Sequence, residues 1–311
     1  MILLGLSACG GGGSGDGATR PSNSQRLSRV FVIAMENHDA ADIYGNTTDA
    51  PYINGELIPN FAISTSFVDE LPDSPSEPHY VLMEAGTNTF ADDTFTNDDP
   101  PSASNSTADD QHLAAQIEAA GDGLDWRSYQ EGIDSTSGAC PIASSGFYHP
   151  KHDPFVFFQD VAGSPPSQTD AHCAAHHSPL SALAGDLAAG RAVSYNFITP
   201  DQCHDMHGQT GCPNLNTIRA GDDWLAANLP ALIAAVGDGS GVILIVWDEG
   251  SSSTRLPFLA VGPTVKKGYA SGVTATHSSL VKTIEEILGL PILSRVAAAN
   301  DLADMFEGGL S

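Results

Sequence analysis

Positive charge is what this chain has least of. Twelve Lys and Arg stand against 38 Asp and Glu, a formal net charge of −26 over 311 residues. No basic stripe is left to neutralise a phosphate backbone, which excludes nucleic acid as a partner. The same deficit opposes charge-driven attachment to anionic lipid. Long apolar runs are missing too, since nothing approaches the roughly 18 consecutive apolar residues of a membrane span. CxxC pairs and internal repeats do not occur. A balance this acidic suits a soluble protein kept apart by self-repulsion, or one adapted to salty surroundings.

What is present is a core. Hydrophobic residues make up 41% of the chain, and the length allows one large α/β domain or two smaller ones. Short runs rich in Val, Ile, Leu or Phe lie at 30–35, 192–198, 242–247 and 257–262. They read as strands buried on both faces. Helical patterns lie between them at 108–120, 180–189, 222–236 and 278–288. Strand alternating with helix predicts an α/β fold with a mostly parallel central sheet flanked by helices on both sides. Two long polar tracts without periodicity, 86–107 and 134–176, are expected to form the rim of a site. No linker composition recurs after residue 27, so residues 28–311 are expected to form one catalytic domain.

The first 27 residues read differently. A short apolar run leads into Leu6-Ser7-Ala8-Cys9 and then a Gly/Ser-rich stretch. The four residues resemble a bacterial lipobox, which implies lipidation of Cys9, with the Gly/Ser stretch as a flexible tether. The positively charged segment that opens an ordinary signal peptide is missing. The expectation is an exported protein, periplasmic or anchored in the outer membrane, that touches membrane only through this lipid. Four cysteines remain, an even number that suits disulfides in an exported chain. Cys203 and Cys212 bracket CHDMHGQTGC, whose two glycines let a small loop close. Of the three pairings, Cys203 with Cys212 and Cys140 with Cys173 is expected; a zinc site is the rival reading, although the spacings do not favour it.

Four stretches concentrate coordinating groups: ENHD at 36–39, SEPHY at 76–80, DQCHDMH at 201–207 and WDE at 247–249, with THSS following at 276–279. Three of the four directly follow an expected strand. In an open α/β sheet the crevice at the carboxyl ends of the strands is where ligands bind. Carboxylates, amides and imidazoles delivered there together suit a divalent metal used as Lewis acid and charge clamp.

With these segments in view, the chain resembles the bacterial and fungal phosphoesterase family of acid phosphatases and phospholipases C, within the alkaline phosphatase superfamily. The resemblance rests on VFVIAMEN at 30–37, SEPHYVLMEAGT at 76–87, KHDPFVFF at 151–158, YNFITPDQCHDMHG at 195–208, IVWDEG at 245–250, RLPFLAVGP at 255–263 and HSSLVKTIEEILGLP at 277–291. It implies a three-layer alkaline-phosphatase-like fold. It also implies metal ligands at Glu36, Asn37, Asp248 and Glu249. Ser76 stands two residues before Pro78, an arrangement like that of the superfamily's nucleotide pyrophosphatases, which implies that it is the nucleophile and a further metal ligand. Ser74 and Thr87 are its nearest competitors. Asp205 and His207 match the family's D-x-H, and His277 a late imidazole; these imply a metal or phosphate contact and the leaving-group acid. Lys151 and His152 belong to a matching segment and would bring positive charge to the phosphate. His204, with Asp201 beside it, and His79, which stands where the family commonly has Asn, complete the expected substrate contacts. Tyr80 and Trp247 read as packing residues.

An oxygen-rich ligand set favours Ca²⁺, Mg²⁺ or Mn²⁺, with Zn²⁺ as the other choice. The resulting expectation is metal-dependent hydrolysis of a small phosphate monoester through a phosphoserine. A phospholipase C acting on a phospholipid headgroup, and a non-catalytic binding lipoprotein on the same fold, are the alternatives.

Overall fold

The computed structural model describes residues 27–134 and 138–310. Cys9 and the expected tether up to residue 26 lie outside the described residues. Ten strands form among those described: β1 (Arg29–Met35), β2 (Ala62–Ser64), β3 (Phe67–Val68), β4 (Trp126–Gln130), β5 (His177–Pro179), β6 (Tyr195–Thr199), β7 (Gly241–Trp247), β8 (Arg255–Leu256), β9 (Phe258–Val261) and β10 (Tyr269–Ser271). Eight of them make one sheet in the order β10-β2-β9-β7-β1-β6-β4-β5, while β3 and β8 pair separately. Within the large sheet only β9 runs antiparallel to its neighbours. The expected α/β class, with a mostly parallel sheet flanked by helices, is the class observed. No helix among the described residues is long and apolar enough to cross a membrane.

The centre of the sheet is the part most plainly written in the sequence. Residues 30–35 of β1 and all of β7 are buried, as short Val/Ile/Leu runs covered on both faces should be. Register then places the chemistry. Met35 is paired with Trp247, so Glu36 and Asp248 leave the sheet side by side. The Asp248 N–H donates to Met35 O at 3.0 Å, and the Glu36 N–H donates to Asp205 O at 2.8 Å. The loop after β6 is thereby stitched to the same sheet edge.

Several boundaries differ from expectation for identifiable reasons. The helix expected at 108–120 runs over Leu113–Ala120. Its opening is satisfied from outside its own sequence, because the buried Glu84 carboxylate accepts the Ala114 N–H at 2.7 Å. Conversely, Thr217–Ala235 starts five residues before the expected 222, with the Asn216 side chain accepting from Arg219 N at 3.1 Å. That cap hides in a polar stretch with no apolar period. The tract 134–176 is less irregular than expected, holding short helical turns at Pro150–His152, Pro154–Phe157, Gln159–Ala162 and Ala171–His176. The helix Ser76–Ala85 is buried at all ten positions and ends at Gly86, whose φ is 70°. A Cβ there would collide with Val296, so the left-handed cap and the close approach both require glycine. Both disulfides, Cys140–Cys173 and Cys203–Cys212, are closed in the expected pairing, as suits an exported protein.

Glu84 also anchors a buried ion cluster. His112 lies between Glu84 Oε1 at 3.0 Å and Asp160 Oδ2 at 3.1 Å. Burial opposes the charge on His112, but hydrogen bonds and attraction from the two carboxylates raise its pKa to about 9, from an ordinary 6.5. A raised pKa means that the folded state holds the proton more tightly. The stabilisation is complete below pH 6.5 and is lost as pH climbs through about 9. Replacing His112 with Gln should therefore cost most stability at the acid end and least at the alkaline end. Urea unfolding of both proteins from about pH 6 to about pH 10 reads this out. A gap that does not change with pH would show that His112 is not ionised in the folded protein.

Candidate active site

Four ligand-type side chains reach the crevice directly from the ends of β1 and β7. Immediately after β1, Asn37 has φ 37°, in the left-handed region that Asn tolerates better than most residues. This turn aims its N–H at Asp248 Oδ1, 3.2 Å away, while its Nδ2 donates to Glu249 Oε1 at 3.3 Å. Behind Glu249, the Asp39 carboxylate accepts from the backbone N–H groups of Ser251, Ser252 and Ser253 at 3.0, 3.2 and 3.0 Å. Gly250 has no room for a Cβ against Asp39 and Ser253. The loop holding Glu249 is thus fixed from the β1 side.

Ser76 enters at the first turn of its buried helix. Its hydroxyl lies 3.2 Å from Glu36 Oε2 and 3.4 Å from Glu249 Oε1, and Lys151 Nζ donates to its Oγ at 3.3 Å. Ser74 and Thr87 have no such company; Thr87 Oγ1 donates to the backbone of Thr89. One neighbour was not foreseen. Asp98, from the polar tract 86–107, receives Lys151 Nζ at 2.8 Å on Oδ2 and the Glu77 N–H at 3.0 Å on Oδ1. It occupies the donors that a helix N-terminus and a lysine would offer to a phosphate. Glu77, itself buried, holds that tract by accepting from Asp99 N and Asn105 Nδ2 at 2.8 and 3.1 Å.

His152 sits between two carboxylates, 3.0 Å from Glu36 Oε1 and 3.4 Å from Asp205 Oδ2. These are ion-pair contacts rather than aligned hydrogen bonds, since Glu36 Oε1, His152 Nε2 and Asp205 Oδ2 are all buried without a hydrogen-bond partner. Tyr80 stacks on the imidazole with ring centres 4.9 Å apart. Asp205 also accepts the His207 N–H at 2.7 Å, and His207 Nδ1 donates to Gly208 O at 2.8 Å. The other expected imidazoles are committed elsewhere. His79 bridges Pro75 O and Asp69 Oδ1, both at 2.9 Å. His277 is wholly buried with Nε2 on Trp247 O at 3.0 Å. His204 is held by Glu131 and Asp201 at 3.1 and 3.2 Å, apart from the residues around Ser76.

The electrostatics of this crevice favour a cation. Burial, then Glu36 and Glu249, push the Asp248 pKa well above the usual carboxylate range. Burial and Glu36 bring Glu249 up to about 7, and burial takes Asp205 to about 6. Glu36 behaves in the opposite way. Burial works against its charge, but His152 foremost, then His207 and Lys151, hold it at about 2. Ligand atoms of Glu36, Asp248 and Glu249 lie within 4.8 Å of one another. Asn37 Oδ1 and Asp248 Oδ2 are buried without a hydrogen-bond partner. Crowded carboxylates and unpaired oxygens, with no thiolate among them, fit a hard divalent ion.

Residues 56–291 match the phosphoesterase family. The chain belongs to that family. No curated protein matches the sequence significantly. Among solved structures, murine ectonucleotide pyrophosphatase/phosphodiesterase 5, an inactive variant in complex with AMP, superposes with a TM-score of 0.55 at 10% identity, covering 90% of this chain and 100% of that one. A phosphonate monoester hydrolase from Silicibacter pomeroyi gives 0.52 at 14% identity over 91% and 77%. A protein of the alkaline phosphatase superfamily from Vibrio parahaemolyticus gives 0.52 at 10% over 89% and 70%. At such identities the likeness establishes the alkaline-phosphatase-like fold. The family match makes the chain a phosphoric ester hydrolase.

Two predictions concern this phosphoesterase's crevice directly. Protons on Asp248 and Glu249 compete with a metal, so affinity should rise as pH increases through about 7, where Glu249 ionises. Mn²⁺ titration calorimetry at about pH 5.5 and about pH 8 should show at least a several-fold gain; equal or weaker binding at the higher pH contradicts the site. Asp98→Asn should free Lys151 and the Glu77 N–H and remove a negative charge. Inhibition by inorganic phosphate should then tighten roughly three- to tenfold, or about 1 kcal/mol. Weaker inhibition would mean that Asp98 serves to hold Lys151 in place.

Proposed function

We propose that this phosphoesterase hydrolyses phosphate monoesters through a phosphoserine on Ser76, with one divalent cation held by Glu36, Asn37, Ser76, Asp248 and Glu249. The observation that carries this reading is the setting of Ser76 Oγ. It lies at the start of a buried helix, within 3.4 Å of two carboxylates and of the Lys151 ammonium. A bare serine hydroxyl is a poor nucleophile and needs such company. A bound divalent ion would lower the pKa of that hydroxyl and neutralise charge on a phosphoryl oxygen.

The chain's own groups account for the remaining steps. Ser76 Oγ attacks phosphorus, its proton passing toward the carboxylates that already accept it, and the bond to the leaving oxygen breaks. Lys151 donates to the attacking oxygen and offers charge to the equatorial phosphoryl oxygens. His207 keeps Nδ1–H on Gly208 O, so in its doubly protonated form it gives the Nε2 proton to the leaving alkoxide and is left neutral. His277 is sealed in the interior with its Nε2 on a backbone carbonyl, so we assign it to holding the end of β7. In the second step water attacks phosphorus and gives one proton to the now neutral His207 Nε2; the P–Oγ bond breaks, and Ser76 Oγ takes back the proton held by the carboxylates.

His152 makes a second metal unnecessary in this scheme. Burial opposes its charge, but Glu36 and Asp205 raise its pKa to about 9, so a cation already stands between those carboxylates at neutral pH. Activity therefore does not require acid to create positive charge. Substrate choice is supported by the cleft beside Ser76, lined by Asp69, Pro75, Glu249, Ser251 and Thr254 among others, with no Lys or Arg in its lining. Hydroxyls and carboxylates there favour a neutral, polar leaving alcohol over a polyphosphate chain.

Turnover of p-nitrophenyl phosphate and p-nitrophenyl phosphorylcholine, before and after chelation, tests the proposal. Monoester hydrolysis should disappear on chelation and fall by at least about a thousandfold in Ser76→Ala. Turnover of the choline diester alone would move the assignment to a phospholipase C. Unimpaired Ser76→Ala would remove the nucleophile from the scheme, and silence on both esters with every metal would favour a binding protein.

A further inference from the structure

A second group of metal-type ligands lies outside the phosphoester crevice, where the helix Ala171–His176 faces the end of the helix Leu113–Ala120 and the start of β4. His172 and His176 are four residues apart, on one face of their helix. Each ring is oriented through Nδ1, His172 on Asp160 O at 3.1 Å and His176 on His172 O at 3.0 Å. With Nδ1 donating, the lone pair of each neutral imidazole is on Nε2. Those two Nε2 atoms meet carboxylates, Glu118 Oε1 at 2.9 Å and Asp125 Oδ1 at 3.5 Å. A lone pair facing a carboxylate oxygen is repulsive unless a proton or a metal ion lies between them.

The surroundings are those of a prepared ligand set. Ligand atoms of Glu118, His172 and His176 lie within 4.8 Å of one another. A tetrahedral zinc with bonds of about 2.0–2.2 Å needs them about 3.4 Å apart, so the Glu118–His172 pair would open from 2.9 Å while the wider pairs draw in. Trp126 fixes two members at once: its ring stacks on His176 with centres 4.4 Å apart, and its Nε1 donates to Glu118 Oε1 at 2.7 Å. Such outer contacts orient ligands and their tautomers. The short helix is itself anchored, since Cys173 is disulfide-bonded to Cys140 and its N–H is capped by Asp170. All four ligand residues keep some exposure, which gives an ion a way in.

We propose that His172, His176, Glu118 and Asp125 form a second cation site, for Zn²⁺ or a similar late transition-metal ion, which clips the helix Ala171–His176 to the helix Leu113–Ala120. Imidazole-rich donors select such ions, whereas the oxygen-rich crevice around Ser76 selects harder ones. The two sites are therefore separable by metal as well as by mutation.

The test uses the full chain carrying Glu36→Gln and Asp248→Asn, which removes two ligands from the crevice. Equilibrium dialysis should still find one Zn²⁺ per chain, Co²⁺ should give tetrahedral d–d absorption, and Zn²⁺ should raise the melting temperature. Adding His172→Gln and His176→Gln should weaken Zn²⁺ binding by more than about tenfold and abolish the Co²⁺ bands. Adding Glu118→Gln alone should weaken binding in the same direction, in case the double histidine variant misfolds. No Zn²⁺ bound before the histidines are replaced, or binding unchanged after, would leave these groups as protonated imidazole–carboxylate pairs and overturn the proposal.

Discussion

The structure turns on one electrostatic constraint: carboxylates packed at the carboxyl end of a parallel sheet, out of water, must be given positive charge. Two like charges about 4 Å apart repel by about 4 kcal/mol even at an effective dielectric constant of about 20. The register that pairs Met35 with Trp247 forces Glu36 and Asp248 together, and Glu249 follows on the same loop. The backbone bond from Glu36 N to Asp205 O adds a fourth acid. Strands chosen for apolar burial thus end in a group that is unstable alone. Its members divide accordingly, Glu36 remaining ionised beside His152 while burial drives Asp248 and Glu249 toward their protonated forms.

The rest of the molecule delivers or fixes charge around that group. The helix Ser76–Ala85 is buried on all sides, and its neighbours are held partly by ions: Glu84 binds His112 and the start of the next helix, and Glu77 ties down the rim tract that carries Asp98. Neither acid is catalytic in the scheme above, yet both fix the direction from which Ser76 meets Glu36. Asp39 does the same for Glu249 through three backbone N–H groups. Each of these contacts is long in sequence and short in space, so the crevice forms only when the domain is complete.

That difference in range explains what could be read from the chain. The runs 30–35 and 242–247 carry a local signal, because burial on both faces shows in composition. The candidate ligands at 36, 37, 248 and 249 were visible as polar residues closing those runs. Ser76 and Lys151 needed the family resemblance, since a serine before a proline is locally no more than a helix start. Asp98 has nothing around it in the sequence that distinguishes it from other surface acids, while Glu77 and Asp39 lie inside the stretches SEPHY and ENHD but hold backbone N–H groups too distant in the chain to leave a local mark. The short strands β2, β5 and β10 lack any period long enough to detect. The helix Leu113–Ala120 is shorter than its local pattern because the group that satisfies its opening, Glu84, lies about thirty residues away in the chain, where no local capping signal reaches.

The positive charges proposed for the crevice, two fixed side chains and a divalent ion, differ in kind, and that difference bears on how a protein of net charge −26 can hold a phosphate dianion. His152 is built in. It is buried, stacked on Tyr80 and placed between two carboxylates, so its charge is largely spent on Glu36 and Asp205. Lys151 is shared in the same way with Asp98. Neither has much attraction left for an incoming anion until something relieves it of its present partner. A divalent ion among Glu36, Asp248 and Glu249 would do so for His152 by taking over Glu36, whereas Lys151 would stay paired with Asp98. Phosphate affinity should then depend on the metal twice, through direct contact and through the charge it releases on His152. An acidic protein in this arrangement would stay closed to anions when empty and accept them when loaded, which would make metal occupancy the control point of the site.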